Sequence, residues 1–111
     1  MTIKQKIRKL INQGKSYKDI WEWGCDKGDL QLVKYLYETK PSICKSNIEE
    51  GFTLSCYSGN LKLIKFFVEN FNMTTDMYFE GIWAISNAYN MANSTKQFIY
   101  LYSKLIPDEI K

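Results

Sequence analysis

The chain has 111 residues, with 15 Lys and Arg against 12 Asp and Glu, a formal charge of +3 and no histidine. That length holds one domain, and 45% hydrophobic with 24% charged residues is a globular composition rather than a disordered one. The missing histidine excludes Ser-His-Asp and Cys-His nucleophile systems, histidine metal ligands and an imidazole pH switch.

The first predicted element is an amphipathic helix over residues 3–13. Ile3, Ile7, Leu10 and Ile11 share one stripe, and Lys4, Lys6, Arg8 and Lys9 occupy the rest. Charges interrupt every apolar pair, so this start is no signal-peptide core, and no run approaches the roughly 20 apolar residues that span a bilayer. Cys25, Cys44 and Cys56 show no C-x2-C spacing and are odd in number, which reads as three reduced thiols. A soluble protein of the cytoplasm is the expectation.

A helical hairpin follows. Gly28 ends its first helix and Asp29 caps its second, whose stripe runs through Leu30, Leu32, Val33 and Leu36. A connector holding Pro41, Ser42, Ser46 and Asn47 is expected to form short extended arms around a turn. The hairpin then recurs at a spacing of 31: Gly28-Asp29-Leu30-Gln31-Leu32-Val33-Lys34-Tyr35-Leu36 aligns with Gly59-Asn60-Leu61-Lys62-Leu63-Ile64-Lys65-Phe66-Phe67. Upstream, Trp21 aligns with Phe52, Trp23 with Leu54, Gly24 with Ser55 and Cys25 with Cys56. The small pairs let the two helices approach closely, and Trp21 is assigned to the core. A second arm is expected around Asn72, Thr74, Thr75 and Asp76.

The third unit is degenerate. Glu80-Gly81-Ile82 repeats Glu50-Gly51-Phe52, and Phe98-Ile99-Tyr100-Leu101-Tyr102 repeats Ile64-Lys65-Phe66-Phe67-Val68. It lacks the Gly-[DN]-Leu turn, offers Asn90, Asn93 and Ser94 instead, and is expected to end before Pro107. The whole reads as one domain: a capping helix in 1–15, repeats in 16–46 and 47–76, and a degenerate repeat or cap in 77–111.

Nothing in the pattern carries catalysis. Asp26 with Asp29, and Glu49 with Glu50, are carboxylate pairs without a positioned nucleophile, and they read as solvated surface. There is no P-loop and no G-x-G-x-x-G. The expectation is a non-enzyme with no metal and no cofactor.

Residues 51–67 resemble the ankyrin repeat, a unit of about 33 residues. The wording G-[DN]-L-x-L-[VI]-K-[YF]-[LF] is especially similar to divergent ankyrin proteins of large DNA viruses. The family's T-P-L-H signature is absent, and with it the threonine and histidine that tie neighbouring repeats. The resemblance implies an all-α solenoid of helix-turn-helix repeats with short extended fingers and capping helices. It implies an adaptor that binds a partner protein through a concave face, in the host cytoplasm if the chain is viral. Carried over by position, that face comprises Tyr17, Lys18, Asp26, Lys27, Ile48, Glu49, Tyr57, Ser58, Tyr78, Phe79 and Tyr89. Its acidic and aromatic side chains suit a partner with basic and apolar features. Two alternatives stand beside it: a nucleic-acid or anionic-surface contact through Lys4, Lys6, Arg8 and Lys9, and a structural subunit that self-assembles.

Overall fold

The computed structural model describes residues 2–87 and 95–105, which form eight helices and no strand. Helix α1 (Ile3–Asn12) opens on a capping box, Thr2 Oγ1 accepting from the Gln5 backbone N–H at 3.2 Å while Gln5 Oε1 accepts from that of Thr2 at 2.8 Å. Ser16 and Asp19 open α2 (Tyr17–Lys27) in the same way. Gly28 closes α2 at φ 70°, a conformation that costs glycine nothing, and Asp29 Oδ1 caps α3 (Leu30–Thr39) by accepting from Leu32 N–H at 3.2 Å. The second hairpin repeats this chemistry: α5 (Ile48–Ser58), Gly59 at φ 71°, and Asn60 Oδ1 accepting from Leu63 N–H at 3.1 Å to start α6 (Leu61–Asn70). Helices α7 (Thr75–Ser86) and α8 (Thr95–Leu105) make the third hairpin. The turn residues Asn90, Asn93 and Ser94, the site candidate Tyr89, and Pro107 lie outside the described residues.

The first expected extended finger is absent from the described residues, and the second is reduced to a short stretch that is extended at Phe71 and Thr74. Residues Pro41–Ser46 form a short helix, α4, and Ile48 and Glu49 already belong to α5. Pro41 sits at the start of α4, where its fixed φ suits a helix and its missing N–H is not needed. Among the described residues no neighbouring strand exists to pair an extended arm. The helical turn pairs its backbone internally instead, Ile43 N–H donating to Lys40 O at 3.2 Å and Asn47 N–H to Cys44 O at 3.1 Å. It also turns Cys44 fully inward. The second connector shrinks to the stretch between Phe71 and Thr74, and Thr74 caps α7, so Tyr78 and Phe79 are helical rather than part of a finger. Tyr17 and Lys18 likewise open α2 instead of preceding it.

The first helices α2, α5 and α7 pack side by side, and α3, α6 and α8 each pair with their own first helix. What joins the hairpins is a ring seated on a glycine. Trp21 of α2 is fully buried, and a Cβ built on Gly51 of α5 would stand 2.8 Å from its Nε1 and 2.9 Å from the Phe67 ring. One repeat later, a Cβ on Gly81 of α7 would stand 2.5 Å from the Phe52 ring. Trp21 and Phe52 are the aligned pair, and Gly51 and Gly81 are aligned as well. The Trp21 N–H donates to Asn47 O at 3.1 Å, so burying the indole strands no polar group. Phe67, Phe71, Phe66 and Tyr37 extend the cluster with ring centroids 5.1–6.1 Å apart. Each such ring buries about 150–250 Å², an upper bound of roughly 4–6 kcal/mol per ring.

A polar ladder runs along the turn edge. Asn60 Nδ2 donates to Gly28 O at 3.0 Å, and Gln97 Nε2 of α8 donates to Gly59 O. At the start of the row Lys6 of α1 pairs with Asp29 at 2.8 Å. The hairpins are thus tied through the glycine carbonyls, in the absence of the threonine and histidine of the T-P-L-H signature. The capping residue is Asp where a lysine meets it and Asn where a carbonyl does.

Two outcomes follow for stability. Asn60→Asp keeps the cap but loses the donor to Gly28 O, and should cost about 1–2 kcal/mol, while Asp29→Asn loses a half-exposed ion pair and should cost under about 1 kcal/mol. Equal urea midpoints for the two variants would contradict the ladder. Gly81→Ala gains up to about 1 kcal/mol of helix propensity, but ring displacement costs about 1–3 kcal/mol. Its Tm should therefore fall, by roughly 5 °C.

Candidate recognition groove

The exposed faces of α2, α5 and α7 repeat with the hairpins. Residues at corresponding places form three rows: Lys18, Glu49 and Phe79; Glu22, Thr53 and Trp83; Asp26, Tyr57 and Asn87. Helical spacing sets these rows, since positions three and four apart share a face.

Between them lies a groove of about 730 Å³ lined by Glu22, Glu49, Glu50, Phe52, Thr53, Leu54, Asp76, Met77 and Glu80. Its floor is apolar (Phe52, Leu54, Met77) and five carboxylates stand around it. Lys18 reaches in from the edge, 3.8 Å from Glu22 and 3.7 Å from Glu50. Burial, and then the neighbouring Glu50 carboxylate, raise the Glu22 pKa above its ordinary value of 4.5 against the pull of Lys18. A shallower depression adjoins across Leu54 and Glu22, adding Asp19, Asp26 and the Trp23 ring. Seven of the twelve carboxylates therefore stand on one face. Four large aromatic side chains on it are exposed by 37–59%: Trp23, Tyr57, Phe79 and Trp83. Tyr57 and Trp83 meet edge to face with centroids 6.5 Å apart.

The charge is segregated. The described second helices α3, α6 and α8 carry Lys34, Lys62, Lys65, Lys96 and Lys104 against Glu38 and Glu69, and α1 carries only basic residues.

The residues expected at the concave face divide. Glu49 lines the groove, Lys18 edges it, Tyr57 and Phe79 stand exposed on the same face, and Asp26 lines the adjoining depression. Lys27 is exposed in the last turn of α2, outside both linings. Ser58 is exposed, but its hydroxyl donates to Ser55 O at 2.7 Å. Ile48 is half-buried against the core, and Tyr78, also half-buried, packs its ring perpendicular to that of Phe52 with centroids 6.5 Å apart. Tyr17 lies elsewhere, in a depression between α1 and α3, with Lys40 Nζ 4.8 Å from its ring centroid.

Glu22, Glu50, Asp76, Glu80, Thr53, Leu54 and Trp83 were missed as site residues. Stepping back three and four positions from the variable pairs Asp26–Lys27 and Tyr57–Ser58 would have found Glu22, Thr53 and Leu54. Glu49 and Glu50 are exposed, in keeping with solvated surface, and they also border the groove with its apolar floor.

Of the basic residues expected to act on α1, Lys4 and Arg8 border the depression holding Tyr17, Arg8 and Lys9 share a second depression with Gln5, Asn12 and Gln13, and Lys6 is held by Asp29 and lies 5.9 Å from the Trp23 ring centroid.

The three thiols are free and buried. Burial pushes the Cys44 thiol up to about 12 and raises those of Cys25 and Cys56 as well, which makes them packing residues rather than nucleophiles. No helix among the described residues is long and apolar enough to cross a membrane.

Comparison with protein-family models, with curated proteins and with solved structures returns no match.

The crowding of Glu22 against Glu50 sets a pH dependence. A carboxyl raised in the folded state favours its protonated form, so its contribution to stability is present below pH 4.5 and lost as pH rises through the folded value. Glu22→Gln should therefore raise Tm at pH 7 by at most about 3 °C, because solvent screens the pair, and give no gain below pH 4. Thermal unfolding followed by circular dichroism at the two pH values checks this.

Proposed function

We propose that the chain is a non-catalytic protein-recognition module of the ankyrin-like kind, which holds a partner protein against the exposed faces of α2, α5 and α7. The ankyrin-like reading is supported by the 31-residue period, by hairpins that share one turn and cap chemistry, and by first helices lying in a row. The short helix α4 in place of the first finger sets it apart from the usual unit.

One observation carries the functional reading. Aligned core positions keep their chemistry: Trp21 and Phe52, Cys25 and Cys56, Leu32 and Leu63, and Val33 and Ile64 are all buried. Aligned positions on the groove face do not: Lys18 becomes Glu49 and then Phe79, and Glu22 becomes Thr53 and then Trp83. A repeated frame that displays an unrepeated surface is suited to recognising an irregular target. Exposed aromatic rings supply anchors of large area and few rotatable bonds.

The paired variant Tyr57→Ala/Trp83→Ala tests the reading. Proteins captured by the wild-type chain from native cells, and quantified by mass spectrometry, should fall at least about tenfold in affinity for it. Tyr102→Ala, on α8 and 49% exposed, should capture them unchanged. Equal capture by all three, with unaltered circular dichroism, would overturn the assignment of this face.

A further inference from the structure

The geometry points to the occupant of the groove: an extended cationic segment of the partner protein, with Lys or Arg at its two ends and an apolar residue between them. The inference rests on the recognition reading above and gives its chemistry.

Four of the five groove carboxylates fall into two groups, and the fifth, Glu49, precedes Glu50 on α5. Glu22 and Glu50 face each other across α2 and α5 and share Lys18, whereas Asp76 and Glu80 stand one helical turn apart on α7. Phe52 and Leu54 of α5 and Met77 of α7 supply the apolar lining of the same groove. Neighbouring helices pack about 8–10 Å apart, so α2 to α7 spans roughly 16–20 Å, and an extended chain covers that in about five or six residues. One cation per acidic group and one apolar side chain on the floor match both the spacing and the chemistry.

A compact cation fits less well. No three acidic or thiol side chains among the described residues stand close enough together to hold a metal ion. The negative charge is spread along the groove, which suits positive charges spread along a chain. Lys18 does not satisfy it, since its ammonium lies 3.7–3.8 Å from both partners with its side chain half-exposed. Trp83, 59% exposed beside Tyr57, offers an aromatic surface at the α7 end for a guanidinium or an aliphatic stem. The remainder of the molecule makes the contrast: α1 and the second helices are predominantly basic, so a cationic chain is drawn to this face alone.

The test uses the full chain, ¹⁵N-labelled, titrated with the peptide Gly-Lys-Ser-Leu-Ser-Lys-Gly, with its Lys-to-Gln counterpart, and with spermine. The Lys peptide should shift amide resonances clustered in α5 and α7, and its affinity should fall at least about tenfold when salt rises from 50 mM to 500 mM. Glu50→Gln/Glu80→Gln should weaken it at least fivefold, while Glu38→Gln/Glu69→Gln on the second helices should leave it unchanged. Equal binding of the Gln peptide would overturn the cationic inference and leave the recognition face standing. Equal binding of spermine, equal loss in the two double variants, or no binding of the Lys peptide would overturn it too. The recognition reading itself stands or falls on the Tyr57 and Trp83 capture experiment.

Discussion

The stack depends on one contact made twice: an aromatic ring of one hairpin resting on a glycine of the next. Trp21 lies on Gly51 and Phe52 on Gly81, and in both places a single methyl group would meet the ring. Helices brought this close leave room for the ring but for no side chain opposite it, so their outward residues lie near one another across a shallow trough. The groove is thus a product of the seam beneath it. Larger residues at 51 and 81 would spread the first helices and separate Glu22 from Glu50. The interaction also runs in one direction along the chain: the first and second units present a ring forward, and the second and third receive it on a glycine. The hydrogen bonds to Gly28 O and Gly59 O have the same sense, each later unit donating to the one before.

What could be read directly from the residues was the local part. A left-handed glycine followed by a capping Asp or Asn is decided within four residues, and both hairpin turns took that form. The buried small pairs and the place of Trp21 followed from the same alignment. The arm around Pro41 is a helix, and that around Asn72 is cut short by α7, because turn formers also begin helices. Proline at the first position and threonine before it are start signals in one context and turn signals in another. The deciding fact is the absence, among the described residues, of any strand to pair with, and that is a property of the fold rather than of a local window.

The groove was partly hidden for a related reason. Its carboxylates come from three helices spread between residues 22 and 80, and no window of sequence brings Glu22 beside Glu50. Net charge concealed it further, because a formal +3 averages an acidic face against a basic remainder. The repeat register holds the missing information: positions aligned at 31 and 30 residues are neighbours in space, so the acidic row Asp19, Glu50 and Glu80 can be written down once helices are assigned through Ile48 and Thr75.

The cysteines have a use that packing alone does not suggest. Cys25 is sealed where α2 meets α5, near the Ser55 hydroxyl; Cys56 lies under Gly81 where α5 meets α7; Cys44 is covered beneath α4. An alkylating reagent reaches each thiol only when its own seam parts, and the raised pKa values silence any slow background attack. The rates at Cys25 and Cys56 then report the opening of two successive seams in one unlabelled molecule, and that at Cys44, which lies near Cys25, the lifting of α4. A strain gauge sits in each of the two joints between hairpins, and the order in which the gauges trip gives the order in which the hairpins come apart.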